Sequence, residues 1–577
     1  MQKKIQLSKF YQVIKNYDQT SFRHIVHLVF SLIISLTSML LYNRQMTPAS
    51  ASIPAFLFTF FLVLAFSRNR WIFAFAFPVL VVPSALLKYF VDANNISINE
   101  NIAAALMNTN YSETMELVSA ELVWTLVLAL LYCGAATTLL FYLHRRYRPV
   151  SNPFLDLFYL GTGVALLFFV ANKQDFFHKL SWMTVLFAGF SVAHFKGASW
   201  PTKTAITHDV CKFVFYTMLS FVGISYSMQI SSARPFDLNK EIVAYYLEYL
   251  SLEKESEKKT DLAQLKSSFD DNRGKDLKVV LIIGESARAD HFSLNGYQRG
   301  TNPLLSKREG LVSFTKVHTR SASTGIAVPN IITRSATSRL KGVKNETSII
   351  SIFNKHDFFT GWVSSNEPFG KHDSSTTRFA KEAQYLNFRA NAEVSYKDSN
   401  DKRLLPIFNR VIKDHTEDRL FLVLHTRGSH WRYDQRYPKK FEKFSPVTQT
   451  SNNAKRWKHN ELINAYDNSI LFTDYIIDSI IEKLEDSNAV VLYVGDHGES
   501  LGEDGFFSHS NNDRSEQKNV PMVLWGSKAF RSRYQKEFDA FSKHQHKKMR
   551  HDIVFHTLLG LTGFKSDAID DDLNLSR

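Results

Sequence analysis

The chain has 577 residues, 45% of them hydrophobic and 14% aromatic, with 47 Phe and a formal net charge of +14. That length exceeds what one hydrophobic core organises, so two or more domains are expected. The two cysteines, Cys133 and Cys211, both lie in apolar segments, which excludes a disulfide framework from the C-terminal half.

Apolar residues are concentrated before about residue 230. Runs at roughly 22–42, 51–67, 71–92, 120–144, 154–171, 179–195 and 210–230 are each a candidate membrane span. The second and fifth are short, and 154–195 reads equally as a hairpin dipping into the bilayer. The first run follows polar and basic residues without a small-residue cleavage site, so it reads as an uncleaved anchor. Basic residues fall in alternate loops: Lys3, Lys4, Lys9, Lys15 and Arg23; Arg68 and Arg70; Arg145, Arg146 and Arg148; Lys196, Lys203 and Lys212. Those loops are expected on the cytoplasmic side, and an odd number of spans then places the chain beyond 230 outside. The positive charge is thereby assigned to basic loops and an anionic lipid surface, with no nucleic-acid partner.

Residues 236–252 pattern as an amphipathic helix with Tyr and Leu suited to a membrane interface, and 253–276 as a charged linker. The expected domains are a membrane domain of five to seven helices over 1–230, a bridging helix and linker over 231–276, and a catalytic domain over 277–577. Strand-like runs in that last region are Lys278–Ile283, Phe358–Val363, Leu420–His425, Ala489–Val494 and Val520–Trp525. Alternating with helical and loop segments, they predict an α/β domain with a mostly parallel sheet.

Two of these runs end in chemistry. The run from Ala489 ends in Asp496, His497, Gly498 and Glu499; the run from Lys278 ends in Gly284 and Glu285. Open α/β sheets place their sites at the C-terminal ends of strands. A carboxylate and an imidazole delivered together suit a divalent metal, zinc by donor type. If the two strands are neighbours, Glu285, Asp496 and His497 converge; taken singly, Glu285 reads equally as a cap for the next helix. Between them lies the hydroxyl-rich stretch Ser321, Ser323, Thr324, Gly325, before Val328-Pro329. It suits a nucleophile at a helix N-terminus, where free amides favour phosphate, although such stretches are commonly caps or loops. His430 follows the Leu420 run and His509 lies twelve residues past His497. Each alone reads as an ordinary surface histidine, and together near an Asp-His pair they point to a site.

The segment Gly284-Glu-Ser-Ala-Arg-Ala-Asp-His-Phe-Ser-Leu-Asn-Gly-Tyr-Gln-Arg-Gly-Thr-Asn-Pro303 resembles the signature of bacterial phosphoethanolamine transferases. That family includes lipid A transferases of polymyxin resistance and belongs to the alkaline phosphatase/sulfatase superfamily. The Thr…Val-Pro, Gly-Ser-His and Asp-His-Gly-Glu segments follow in family order. The resemblance implies Glu285, Asp496 and His497 as zinc ligands with Thr324 as nucleophile beside the metal. It implies His430 and His509 at the phosphoryl group or a second metal, with Glu499 nearby. In the outward loop after the third run, Thr109 and Glu113 would contact the lipid headgroup, while the family's nearby Asn is Ala105 here. The family's disulfide flanking the nucleophile is replaced by Arg320 and Asn330, and its membrane domain has five spans against seven runs here.

The implied reaction moves phosphoethanolamine from phosphatidylethanolamine to an envelope acceptor, such as lipid A or a lipopolysaccharide sugar, through a phospho-threonine intermediate. One tightly bound zinc, with a second in turnover, is expected. So are a monomer and a multi-pass location in a bacterial inner membrane with the catalytic domain in the periplasm. The alternatives are a related phosphoglycerol transferase or sulfatase-like hydrolase, or an inactive membrane sensor or scaffold. A sulfatase needs a Cys or Ser in its own motif, and neither fits here.

Overall fold

The computed structural model describes residues 22–38 and 63–94 in part, 119–147, and most of 266–577 apart from stretches within 339–347, 367–374, 389–399, 417–418 and 448–453. The runs at 154–171, 179–195 and 210–230, the bridging helix at 236–252, and Thr109 and Glu113 lie outside the described residues. By contacts the chain divides into two compact units, Met1–Phe90 with Ala120–Ala244, and Val91–Ser119 with Tyr245–Arg577.

The first unit contains all but the last turn of helix α1 (Arg70–Asn94), helix α2 (Ala120–Arg146) and the apolar helical stretch Ile25–Ser38. Among the described residues α2 is long and apolar enough to cross a membrane. Its buried positions Ala129, Cys133, Ala136 and Leu140 recur every three to four residues and form one stripe. That stripe packs on Phe30, Ile34, Phe73, Phe77 and Val81. The opposite side is apolar too: Trp124, Leu128 and Leu131 are 61–65% exposed. A helix apolar all round, with small residues on its packed face, belongs in lipid rather than water. Two polar contacts lie inside this unit: His144 Nε2 is 2.8 Å from the Ser67 carbonyl, and the Ser31 and Ser67 hydroxyls are 3.3 Å apart.

The second unit is built on an eight-stranded sheet. Its strands are β1 (Lys278–Gly284), β2 (Leu311–His318), β3 (Phe359–Ser364), β4 (Tyr385–Phe388), β5 (Leu420–His425), β6 (Ala489–Gly495), β7 (Asn519–Gly526) and β8 (Met549–Arg550). The spatial order is β8-β2-β7-β6-β1-β5-β3-β4. Only β7 runs against the rest, antiparallel to both β2 and β6, so the sheet is mostly parallel as expected. The central strands β1 and β6 are buried at all seven positions each. This explains why they read as continuous apolar runs: helices cover a parallel sheet on both faces. One cover is the 26-residue helix His459–Leu484, whose Leu462, Tyr466, Ile470, Ile477 and Ile481 join the core under β1, β5 and β6.

Sequence patterning anticipates β1, β3, β5, β6 and β7 within a residue or two. β2, β4 and β8 escape it. In β2 the buried Phe314 and Val317 are three apart because the β2–β7 register shifts between Val520 and Met522, which breaks the two-residue period.

Candidate functional site

The site is assembled at the C-terminal ends of adjacent parallel strands. β1 and β6 pair with Gly284 opposite Gly495, so the next residues, Glu285 and Asp496, leave the sheet side by side. The Asp496 amide donates to the Gly284 carbonyl at 2.8 Å and holds the two chains together past the last ladder bond. Gly284 is required by packing: a Cβ there would meet the Tyr493 hydroxyl at 2.2 Å. On the other side of β1, β5 turns into the His430 loop. Gly428 there has φ +48, and a Cβ on it would lie 2.5 Å from the Glu285 carbonyl. The Ser429 amide donates to that carbonyl at 2.9 Å, and buried Asp401 accepts the Arg427 and Gly428 amides at 2.8 and 2.9 Å.

β2 supplies the hydroxyl. Its chain leads through 319–323 into helix α3 (Thr324–Ile332), and Thr324 opens that helix. Thr324 Oγ1 lies 3.2 Å from Glu285 Oε2 and 3.2 Å from His497 Nε2. His497 Nε2 is also 3.3 Å from Glu285 Oε1 and 3.4 Å from Asp496 Oδ2. Strands far apart in sequence therefore deliver Glu285, Asp496, His497 and Thr324 to one point. Ser321 and Ser323, the other hydroxyls of the stretch, do not join it: Ser321 Oγ is buried without a hydrogen-bond partner, and Ser323 makes no side-chain cap.

The donor set fits a cation. Burial first, then the neighbouring Asp496, push the Glu285 carboxyl up to about 7; burial pushes Asp496 up to about 7 as well. Asp496 Oδ2 is buried with no hydrogen-bond partner. His497 Nδ1 sits 3.0 Å from the Gly498 carbonyl; donating there leaves the Nε2 lone pair facing two carboxylates and a hydroxyl. Acceptors turned toward one another in a buried pocket are arranged for a divalent ion, and two carboxylates with an imidazole suit zinc. His509 belongs to the same cluster: ligand atoms of Glu285, His497 and His509 lie within 4.8 Å of one another, and the His497 and His509 rings stack at 4.2 Å.

His430 stands further out, its ring 5.9 Å from that of His509 and its Nδ1 buried without a partner. Burial holds His430 and His509 well below the ordinary imidazole range, to about 3 for His509, so both are neutral near pH 7. Glu499 is fully buried, and its Oε1 accepts from the Tyr433 hydroxyl at 3.1 Å. Burial raises its carboxyl well above the usual range.

Sequence reasoning passed over two supports. Ser286 has φ +54, a left-handed conformation unusual for a serine. In it the Ser286 amide donates to Asp496 Oδ1 at 3.1 Å and its hydroxyl to Glu285 Oε1 at 2.8 Å, while Tyr466 donates to its carbonyl at 2.7 Å. The second is the pinning of the 319–323 segment. The Ala322 amide donates to Asn512 Oδ1 at 2.8 Å, and its carbonyl accepts the Ser510 amide at 2.9 Å and faces His509 Nδ1 at 3.1 Å. Thr319 Oγ1 and His551 Nε2 are 3.0 Å apart, and Arg320 is ion-paired with Asp552. Asn330 Nδ2 donates to the Thr337 carbonyl at 2.8 Å. Arg320 and Asn330, which stand where the resembled family has a disulfide, are thus each tied by non-covalent bonds.

The sulfatase family model matches residues 278–564, and the model described as phosphoethanolamine transferase EptA/EptB matches residues 56–184. Phosphoethanolamine transferase EptA of Escherichia coli K12 is 32% identical over 314 residues, covering 52% of this chain and 56% of that protein. The chain spans about half the length of the curated relatives it matches. The soluble domain of lipooligosaccharide phosphoethanolamine transferase A from Neisseria meningitidis is 29% identical, with a TM-score of 0.50 over 55% of this chain and 97% of that one. The integral membrane form of that protein gives a TM-score of 0.65 at 22% identity, covering 96% of this chain and 98% of that one, so the two-part fold is shared. With an N-terminal membrane domain and a sulfatase-type α/β domain matched in order, the chain belongs to the phosphoethanolamine transferase family of the sulfatase/alkaline phosphatase superfamily.

Proposed function

We propose that the protein moves phosphoethanolamine from phosphatidylethanolamine to a lipid A or lipopolysaccharide-type envelope acceptor through a covalent intermediate on Thr324. The observation that carries this reading is the position of Thr324 Oγ1, at a helix N-terminus and 3.2 Å from both Glu285 and His497. Glu285, Asp496 and His497, with His509 in reach, would hold one zinc ion. A zinc ion bound there supplies a positive field that lowers the pKa of the neighbouring hydroxyl and offsets charge on a phosphoryl oxygen.

Thr324 Oγ1 attacks phosphorus, the bond from phosphorus to the diacylglycerol oxygen breaks, and the proton lost by Thr324 ends on the departing diacylglycerol. The acceptor oxygen then attacks the phospho-threonine, the Oγ1–phosphorus bond breaks, and Thr324 recovers its proton from the acceptor. First-turn amides of α3 favour the bound phosphate. His430, held neutral by burial, offers an N–H at the rim of the cluster to steady the phosphoryl oxygens, while His509, whose Nδ1 faces the Ala322 carbonyl, keeps an Nε2 lone pair to serve the ion or relay the proton. Thr109 and Glu113 would contact the donor headgroup, and Glu499, buried on Tyr433, would act behind the ligands rather than on the substrate.

On this reading residues 1–230 form the multi-pass inner-membrane domain, 231–276 bridge it, and 277–577 work in the periplasm as a monomer. EptA of Escherichia coli and the Kdo(2)-lipid A phosphoethanolamine 7''-transferase of Salmonella typhimurium, at 32% and 27% identity, support by name the transferred group and, in the second case, the acceptor class. Mass spectrometry of envelope glycolipids with and without the protein tests it. Glycolipids that gain one phosphoethanolamine only with the intact protein are expected; an unchanged glycolipid profile contradicts the proposal.

A further inference from the structure

Away from the strand-end cluster, an uneven charge distribution lies at one edge of the sheet. β8 pairs in parallel with β2, Met549 opposite Val317 and Arg550 opposite His318. Side chains alternate along strands, so Val317 and Met549 are buried on one face while Lys316, His318, Lys548 and Arg550 share the other. Lys518 adjoins them: its carbonyl accepts the Thr319 amide at 2.9 Å. The turn before β8 adds exposed Lys543, His546 and Lys547, and no acid occurs between 540 and 551. Thr315 anchors that turn, its amide donating to the Gln545 carbonyl at 2.9 Å.

Among the described residues, Lys316, Lys518, Lys547, Lys548 and Arg550 form no ion pair. Asp552, the next acid in sequence, is paired with Arg320. His318 Nδ1 is buried with no hydrogen-bond partner. Burial, then the charges of Lys548 and Lys518, keep this imidazole below its ordinary range, so it adds a polar group and no charge near neutrality. Cations crowded along one edge repel one another, and among the described residues no acid pairs with them.

We infer that this edge is a docking surface for the phosphate groups of an anionic lipid leaflet. Charge complementarity selects a polyanion. A leaflet is the occupant because the chain carries a helix able to cross a membrane, which keeps the second unit at a lipid surface at high effective concentration. The patch also runs directly into the reactive segment: His318 is followed by Thr319 and Arg320, and Thr324 lies six residues beyond His318. Cations there hold the mouth of the site against the surface from which a lipid donor must come. The inference rests on the proposed lipid-dependent reaction for its purpose but not for its readout.

The test is hydrogen exchange of the full-length protein in nanodiscs of phosphatidylcholine alone and with added phosphatidylglycerol. Each cation near an anionic leaflet contributes roughly a fivefold factor in binding, so exchange of the 543–550 peptide is expected to slow about tenfold in anionic discs and to recover at high salt. A Lys316→Glu/Lys548→Glu/Arg550→Glu variant is expected to exchange equally in both discs; the milder Lys548→Gln/Arg550→Gln variant gives the same readout if the first fails to fold. Equal exchange of the natural protein in both discs overturns the inference. So does protection by inorganic phosphate or an oligonucleotide in neutral discs without protection by phosphatidylglycerol. Exchange requires no turnover: an inactive protein that is still protected would count against the transfer chemistry alone, and an active unprotected one against docking alone.

Discussion

At the residue scale the arrangement turns on groups that hold the cluster as much as on the cluster itself. In the proposed zinc site Glu285 and Asp496 would be anionic donors to one point, so removing either charge would remove a ligand. Glu285→Gln and Asp496→Asn are each expected to lose most bound zinc by elemental analysis; full occupancy in both variants would contradict the assignment. Ser286 bonds to both acids from a left-handed backbone. Groups that orient metal ligands are typically worth ~10–100-fold in metal affinity. Ser286→Ala is therefore expected to weaken zinc binding by about tenfold while keeping the fold. Ser286→Gly relieves the backbone conformation and is expected to melt higher than Ser286→Ala with the same weakened affinity. Equal melting of the two, measured by calorimetry, would remove the strain argument. The acids and His497 were legible in the sequence because each ends a buried run; the role of Ser286 was not, since nothing in its local sequence announces a positive φ.

At the element scale, the segment between β2 and α3 is fixed by partners remote in sequence. Asn512 and His551 lie 190 and 232 residues from the groups they hold, and no local pattern reveals such bonds. The Ala322 peptide couples the Thr324 segment to the His509 loop, since its amide and carbonyl both bond to 509–512. Asn512→Ala is expected to slow attack by Thr324 with little change in donor KM, and Asn512→Asp, which retains the acceptor oxygen, to recover most of the rate. A change in KM alone, with kcat intact, would show that the bond does not position the nucleophile. The same locality decides which strands are readable. β1 and β6, covered on both faces, announce themselves as apolar runs, whereas β8 is a two-residue edge strand with one exposed cation and looks like loop.

At the scale of the whole molecule, buried histidines make the second unit sensitive to acid. Burial lowers His425 and His551 to about 4, well below the ordinary 6.5. As pH falls the unfolded chain takes up these protons first, so the contribution of these two groups is full above about 6.5 and is lost toward pH 4. Each group contributes at most about 3 kcal/mol to that decline. Because buried Glu285 and Asp496, raised to about 7, act in the opposite sense, the test is a difference: between pH 7 and pH 5 the melting temperature is expected to shift less unfavourably in His425→Gln than in the natural protein, and an identical shift would clear His425. Topology is a second property of the whole chain: reporters fused at Lys196 and Asp270 are expected to report opposite sides of the membrane, and a shared cytoplasmic report would contradict the membrane reading. The central claim, that Thr324 carries the phosphoethanolamine group in transit, is tested most directly by incubating the intact protein with phosphatidylethanolamine and mapping the adduct by peptide mass spectrometry. The account predicts one phosphoethanolamine on the peptide containing Thr324, absent in Thr324→Ala, which still binds zinc. An adduct on Ser321 or Ser323, or full transfer by Thr324→Ala with no adduct anywhere, would contradict it.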